Sequence, residues 1–332
     1  MKFVMEKCNT EMCHASTVLK IGRDEFLTAW FGGSKEGEKD VSIWLARGSE
    51  KGFGEPQIIA CGHEAHWNPV LFRLDENKII LFYKVGDEIS SWRTMCRISE
   101  DNGRTFSPEK ELVKGDIGGR GPVRNKPVRL KSGRILAPAS TESGVWKAFV
   151  DISDDNGKTW RKSADIEIDN LEYKEGERTV PQGSSDIPVS EQSFYGRGVI
   201  QPTLWEGGDG QVHMFLRSTE GRIYRSDSTD DGITWSKAYA TQLPNNNSGI
   251  DLVKTPGGAL FLVYNPVGIN WGKRTPITLA VSSDDGETWR DIQDLCSGEG
   301  EFAYPAIICD EESLYITYTY KRKNIAFCKI NY

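Results

Sequence analysis

The sequence predicts an all-β chain folded as a six-bladed β-propeller, on three observations. The phrase Ser-x-Asp-x-Gly-x-Thr-aromatic is written four times, at 99–106 (SEDNGRTF), 153–160 (SDDNGKTW), 228–235 (STDDGITW) and 282–289 (SSDDGETW). Around these copies run alternating apolar segments rich in Val, Ile, Leu, Tyr and Phe, the period-2 signature of strands, and no segment sustains a helical period. The apolar segments themselves form a second repeat of six units, and self-similarity on this scale indicates an array of small sheets. A chain of 332 residues is long for a single core, but sheets stacked radially accommodate it.

The short phrase reads as a turn staple. Asp101, Asp155, Asp230 and Asp284 can accept backbone N–H groups inside a tight turn, while the glycine two residues on supplies positive φ. Phe106, Trp160, Trp235 and Trp289 would then plug each turn onto an apolar sheet face. On this reading the four aspartates hold turns and do not catalyse.

The six longer units begin at His14, Asn68, Lys126, Gln201, Ser248 and Tyr304. Each is a short strand, a turn near Gly or Asn, then a strongly apolar strand. Pro69, Pro127, Pro202 and Pro305 stand second in their units, which suits the first residue of a strand, where a missing donor costs least. A third strand then leads into the staple phrase. In the first unit that phrase is degenerate (48–56), and the sixth has none. Only one strand, 324–330, remains after Tyr320, so strand 3–5 is expected to complete the last blade, closing the ring and hiding its edges. The largest insertion, 166–196, is polar and is expected to overhang the mouth of a central pocket. With no linker in view, 1–332 reads as one domain.

Composition narrows the function. Lys+Arg 41 against Asp+Glu 48 gives a net charge of -7, which leaves no footprint for nucleic acid or anionic lipid. No run of 18 apolar residues is present, so no membrane-spanning helix is expected. The first sixteen residues lack the apolar stretch of a secretory signal. The seven cysteines are odd in number and scattered, with no CxxC pair. That fits a reduced cytoplasm better than a disulfide framework or zinc site, with Cys8–Cys13 the one conceivable pair. A secreted or periplasmic chain already stripped of its leader would read the same way. No cofactor or metal motif stands out, and His63 and His66 in HEAHW lack the helix that a metal pair of that kind needs. The oligomeric state is open.

In a propeller the innermost strands converge on the axis. The unit-starting residues, His14, Asn68, Lys126, Gln201, Ser248 and Tyr304, should form one ring, and the residues ending the second strands, Trp30, Lys84, Ser140, Arg217, Asn265 and Tyr320, the neighbouring ring at the same rim. These positions are polar or aromatic where the rest of each strand is apolar, as a ligand site requires. Arg217, Arg274, Lys84 and Lys126 would make a cationic pocket inside an acidic protein, which selects an anionic ligand, and guanidinium groups suit a carboxylate. Trp30, Trp67 and Tyr320 can stack on a sugar ring. A carboxylic acid, a tyrosine and a histidine around one pocket suffice for glycosidic bond cleavage.

The staple phrase resembles the Asp-box of the sialidase (neuraminidase) superfamily, whose members are six-bladed β-propellers. The resemblance implies three arginines clamping a substrate carboxylate, a tyrosine nucleophile activated by a glutamate, and an acid on a loop of the first blade. Arg217, ending HMFLR, matches the second arginine and Arg274, in GKRTPITLAVSSDDG, the third. Tyr304 matches the nucleophile, and Glu36, then Asp40, in FGGSKEGEKD match the acid. His14 stands where the first arginine is expected and Gln201 where the glutamate is expected; Arg120, Arg124 and Arg197 are candidates to replace the missing clamp arm. The resemblance implies an exo-acting glycoside hydrolase that removes a terminal acidic sugar, with sialic acid the first candidate and no cofactor. A lyase acting on uronic-acid-containing glycans is the second reading, favoured by His14 and Gln201. A non-catalytic glycan- or protein-binding propeller is the third.

Overall fold

Each of the six repeat units folds as an antiparallel sheet whose first strand lies innermost. In the structure of this protein, a computed structural model, residues 1–180 and 191–332 are described, apart from the Gln192 side chain. Blade one is built from Met12–Gly22, Glu25–Gly33 and Ser42–Ser49, with Gly52–Phe53 and Gln57–Ala60 outside. Blade two comprises His66–Arg73, Ile79–Val85, Arg93–Ser99 and Lys110–Glu111, and blade three Val128–Arg129, Ile135–Thr141, Val145–Ser153 and Arg161–Lys162. Arg197–Glu206, Val212–Ser218, Arg222–Ser228 and Tyr239–Pro244 form blade four. Asp251–Lys254, Leu260–Tyr264, Ile277–Ser282 and Arg290–Cys296 form blade five. Blade six is Phe302–Cys309, Ser313–Tyr320 and Asn324–Asn331, with the N-terminal strand Lys2–Phe3 added at its outer edge, Lys2 opposite Phe327.

Strands in this arrangement are apolar on both faces because each sheet packs on two neighbours. Leu71 and Leu81 meet Phe31 and Ile43 between blades one and two, whereas Val70 and Phe82, on the opposite face of the same blade, meet Ile135 of blade three. Equivalent clusters lie between the later blades, and Phe26, Trp30 and Ala46 pack blade one on Tyr315, Ile325 and Phe327 of blade six. One seam differs from the rest. Val145 and Trp146 of blade three pair in parallel with Arg197 and Gly198 of blade four, merging the two blades into a single eight-stranded sheet. Gly198 permits this approach: its φ is 138°, and a Cβ there would lie 2.3 Å from the Trp146 carbonyl oxygen.

The staples behave as their chemistry predicts. In the second copy, Asp155 accepts from the Thr159 N–H at 2.9 Å, the Lys158 N–H at 3.1 Å and the Thr159 hydroxyl at 2.6 Å, while the Gly157 N–H donates to Ser153 Oγ at 2.8 Å. Trp160 packs on the cluster between blades two and three. The hydrogen bonds from Thr159 hold the Asp155 carboxyl at about 2. A folded value below the unfolded one means this contribution is present above about pH 4 and lost as pH falls from there toward 2. Asp155→Asn is expected to lower stability at neutral pH by on the order of 1 kcal/mol, given its half-exposed setting, and to flatten the acid limb over that window. Circular-dichroism melts between pH 2 and 7 check this; an acid limb of unchanged slope contradicts it.

All seven cysteines are free thiols, Cys8 and Cys13 included. No helix among the described residues is long and apolar enough to cross a membrane. The insertion 166–196 falls partly on 181–190, outside the described residues; its described parts bring Tyr173, Ser193 and Tyr195 to the wall of the central pocket.

Candidate functional site

Four inner strands share a local distortion that the repeat pattern only hinted at. The register skips two residues between His14 and Thr17, Trp67 and Val70, Ile200 and Thr203, and Ala303 and Ala306. Inside each skip sits a non-glycine residue of positive φ: Ala15 (54°), Asn68 (44°), Gln201 (53°) and Tyr304 (55°). A bulge of this kind re-aims a side chain, here toward the axis, and such backbone is held only where its surroundings over-determine it. Pro69, Pro202 and Pro305 therefore lie within bulges, not at strand starts, whereas Pro127 stands directly before the strand Val128–Arg129 as expected; in blade one the bulge position is Ala15 instead of His14. Asn125 pins the blade-four bulge by donating to the Gln201 and Pro202 carbonyls, both at 3.0 Å. Arg124 pins the blade-six bulge by donating from Nη2 to the Pro305 carbonyl at 2.6 Å.

Three of these bulges deliver Asn68, Gln201 and Tyr304 to one cavity of about 560 Å³. Arg217, at the end of the second strand of blade four, is the hub of its floor. It donates from Nη1 to the Tyr304 hydroxyl at 2.7 Å and to Gln201 Oε1 at 3.0 Å, and from Nε to Asn247 Oδ1 at 2.7 Å. Gln201 in turn donates from Nε2 to Glu142 at 3.3 Å. Burial pushes the Glu142 carboxyl up, against the pull of Arg217, so this acid holds its proton more firmly than an ordinary glutamate. Trp67, Trp92, Trp146 and Trp271 supply apolar wall.

Behind the Tyr304 ring lies a cluster of buried cations. The guanidinium carbons of Arg124, Arg217 and Arg274 stand 5.3, 5.7 and 5.1 Å from its centroid. The His14 ring packs against the same ring, tilted by 45°, with centroids 4.2 Å apart. Burial first, then Arg322, Arg274, Arg124 and Arg217, drives His14 far below its usual value, so its imidazole is neutral. Arg274 Nη1 donates to Glu301 at 2.6 Å, and Arg322 Nε to the other Glu301 oxygen at 2.8 Å; these two cations hold that buried carboxyl low although burial opposes them. Arg322 also binds Glu36. Against these four arginines stand Glu301, Glu36 and Glu142, the last with its ionisation opposed by burial. The excess of positive charge shows in unused donors: Arg274 Nε and Nη2, Arg322 Nη2 and Arg124 Nε are buried without a partner, and the neutral His14 adds one N–H and one acceptor nitrogen that are also unpartnered. Buried donors left unpaired are costly, and a carboxylate is the group that would satisfy them.

Several residues expected at the pocket lie elsewhere. Lys84 is buried, brought down to about 7 by that burial, and spent on Thr94 Oγ1 and the carbonyls of Gly119, Arg120 and Gly121. Lys126 is clamped by Asp251 at 2.8 and 2.9 Å and lines a separate, larger groove of about 930 Å³, where Lys254 is likewise bound to Asp285. That groove offers no catalytic set, so the smaller cavity is the candidate. Trp30 points into the core between blades one and six, because strand alternation turns it away from the axis. Tyr320 packs between Phe3 and Phe302. Asn265 braces the Pro276 and Phe302 carbonyls. Arg197 pairs with Glu220 at 2.7 Å at a rim groove, and Arg120 with Asp151, so neither replaces a clamp arm. Asp40 closes its own loop by accepting from the Ser34 N–H and hydroxyl at 2.8 and 2.9 Å; of the two loop acids only Glu36 lines the pocket. Arg124, Arg274 and His14 reach Tyr304 from behind without lining the cavity, and Arg322 lines a neighbouring hollow together with Glu36 and Glu301. Sequence reasoning missed Glu142, Asn247, Glu301 and Arg322.

Removing Arg274 tests the cation cluster. Arg274→Ala is expected to weaken binding of an acidic monosaccharide about 10- to 100-fold, as loss of a charge-assisted pair would. Isothermal titration measures it, and unchanged affinity excludes Arg274 from the site.

Comparison with known proteins agrees with this architecture. The BNR repeat-like domain matches residues 24–316. An anhydrosialidase of Macrobdella decora is 25% identical over 233 residues, which span 67% of this chain but 25% of that protein. Among solved structures, a protein of unknown function from Dyadobacter fermentans superposes with a TM-score of 0.75 at 16% identity, covering 99% of this chain and 96% of that one. The NanB sialidase of Streptococcus pneumoniae gives 0.74 at 13% identity, covering 100% and 70%. At such identities the structural likeness speaks to the fold alone.

Proposed function

The chain belongs to the BNR repeat-like family of sialidase-like propellers, and on that premise we propose that it is an exo-acting glycoside hydrolase removing a terminal acidic sugar, with sialic acid the first candidate. One observation carries the reading: the Tyr304 oxygen, on a bulge that aims it at the axis, is held 2.7 Å from Arg217 on the floor of the pocket, with unpaired guanidinium donors around its ring. The sugar carboxylate would be drawn to Arg217, Arg274 and Arg322, placing the anomeric carbon at Tyr304. Tyr304 would then stabilise the positive charge that develops at the anomeric carbon, held in place by Arg217, while the acid protonates the departing oxygen and water takes up the glycosyl group.

Glu142 is the acid in this proposal, in place of Glu36 or Asp40. Glu36 is bound to Arg322, whereas Glu142 has the Gln201 amide as its hydrogen-bond partner, and its burial raises its hold on a proton that it would pass to the departing glycosidic oxygen. Gln201 cannot accept a proton and serves as a spacer between Glu142 and Arg217. Among the relatives, a leech intramolecular trans-sialidase is described with 2,7-anhydro-Neu5Ac from 3'-sialyllactose, which supports a sialoside as first substrate. Release of the fluorophore from a 4-methylumbelliferyl sialoside by the wild-type protein tests the proposal. No release there, and none of free sialic acid from a panel of linkages, discards it.

A second reading has its own observation. His14 is neutral, with both nitrogens free, and packs with its ring centroid 4.2 Å from that of Tyr304. A neutral imidazole beside a tyrosine inside a cationic pocket suits proton abstraction by a lyase on a uronide. Ultraviolet absorbance of an unsaturated uronide product separates the two reactions.

A further inference from the structure

Outside the pocket, the hairpin turn Glu206-Gly207-Gly208-Asp209-Gly210 of blade four meets the last Asp-box of blade five. There Asp209, His213 and Asp285 each present one ligand atom, all within 4.8 Å of one another, and among the described residues no other such trio of His, Cys, Asp or Glu occurs. We propose that this junction is a binding site for a zinc-class divalent cation, ligated by Asp209 Oδ1, His213 Nε2 and Asp285 Oδ2.

Three independent features point to an ion. His213 is 6% exposed, and its Nδ1 lies 2.6 Å from Asp227 Oδ1. That is the shorter of the two Nδ1 contacts, the other being Arg225 Nη2 at 3.1 Å, so Nδ1 carries the proton and donates. The Nε2 lone pair is thus turned toward the two carboxylates with no hydrogen-bond partner of its own, the carboxylate–histidine arrangement that orients metal ligands. Asp227 is itself fixed by the Tyr239 hydroxyl at 2.6 Å and Arg225 Nε at 2.8 Å.

The carboxylates are also held in place. Asp285 Oδ2 accepts from the Gly208 N–H at 2.7 Å while its other oxygen takes Lys254 at 2.9 Å. Asp209 Oδ1 accepts from the Gln211 N–H at 3.0 Å, and Oδ2 from Gln211 Nε2 at 2.7 Å. Each retains a lone pair for a cation. Finally, a Cβ built on Gly207 would fall 2.7 Å from Asp209 Oδ1, 2.7 Å from His213 Nε2 and 3.0 Å from Asp285 Oδ2. The absence of that one atom leaves a hollow bounded by all three donors. Bonds of roughly 2.0–2.2 Å then need only a small contraction of the glycine-rich turn.

One nitrogen and two carboxylate oxygens with room for water suit zinc or cobalt better than calcium, which takes six or more oxygens. Bound there, the ion ties blade four to blade five at a place separate from the pocket.

The test uses zinc chloride in titration calorimetry on the full chain, with cobalt-soaked crystals measured at the cobalt edge. The wild type is expected to bind one equivalent of zinc and to melt at a higher temperature with it. Asp209→Asn, at an exposed turn, should lose about 10-fold or more in affinity. Gly207→Ala, which fills the hollow, should lose the binding while keeping sialoside turnover. An anomalous peak bonded to all three residues supports the site. Absent zinc binding, equal affinity in the three proteins, or a cobalt peak only elsewhere overturns it.

Discussion

Tyr304→Phe is expected to lower turnover of a sialoside by about a thousandfold, the scale of losing a group that reacts with substrate or moves its proton. The change removes one oxygen. The ring keeps its packing on His14 and its contacts with Arg124 and Arg274, and the bulge carbonyl of Pro305 keeps its bond from Arg124. Arg217 loses an acceptor at 2.7 Å but retains Gln201 and Asn247. Binding of the acidic sugar should therefore survive while kcat collapses, the pattern of an interaction made in the transition state. Steady-state kinetics with a matched thermal melt decide it. Turnover within tenfold of wild type removes Tyr304 from the chemistry and favours a pocket that binds without cleaving.

Glu142→Gln should lower kcat about a hundredfold on substrates whose leaving oxygen needs a proton, and far less on an activated aryl sialoside whose phenolate leaves unaided. Burial keeps the carboxyl protonated beyond the range of an exposed glutamate. The protonated form is the active one, so wild-type kcat falls as pH rises through that raised value, and the variant loses this limb. The amide preserves a partner for Gln201, so a purely structural role would leave the leaving-group dependence untouched. Equal losses on both substrate types reject Glu142 as the acid and return the role to Glu36.

How much of this was legible beforehand depended on how locally each feature is determined. The Asp-box turns are closed by side chains within five residues of one another, so the phrase alone specifies them, and six apolar units specify the sheets between. Arg217 and Tyr304 were found because they occupy repeat positions, and Arg274 because its surroundings resemble the family's third arginine. The same logic failed for Lys84, at the matching end of a second strand, because the carbonyls of 119–121 fold over it. Loop carbonyls leave no mark in the sequence. Glu142 left only a faint one: it follows the strand Ile135–Thr141 directly, two residues after the ring position Ser140. Arg322 left none, since its direction comes from positive φ at Lys321 and Arg322, both 52°, after the strand has ended.

The parallel rungs between Val145–Trp146 and Arg197–Gly198 have a mechanical meaning for the pocket. Blades joined by side-chain packing can slide or breathe against each other, but a shared ladder of amides forbids slippage without breaking several bonds together. Glu142 rides on one side of that weld and Gln201 with Arg217 on the other. The donor, its spacer and the guanidinium are thus tied through a two-pair ladder that has to open before blades three and four can part.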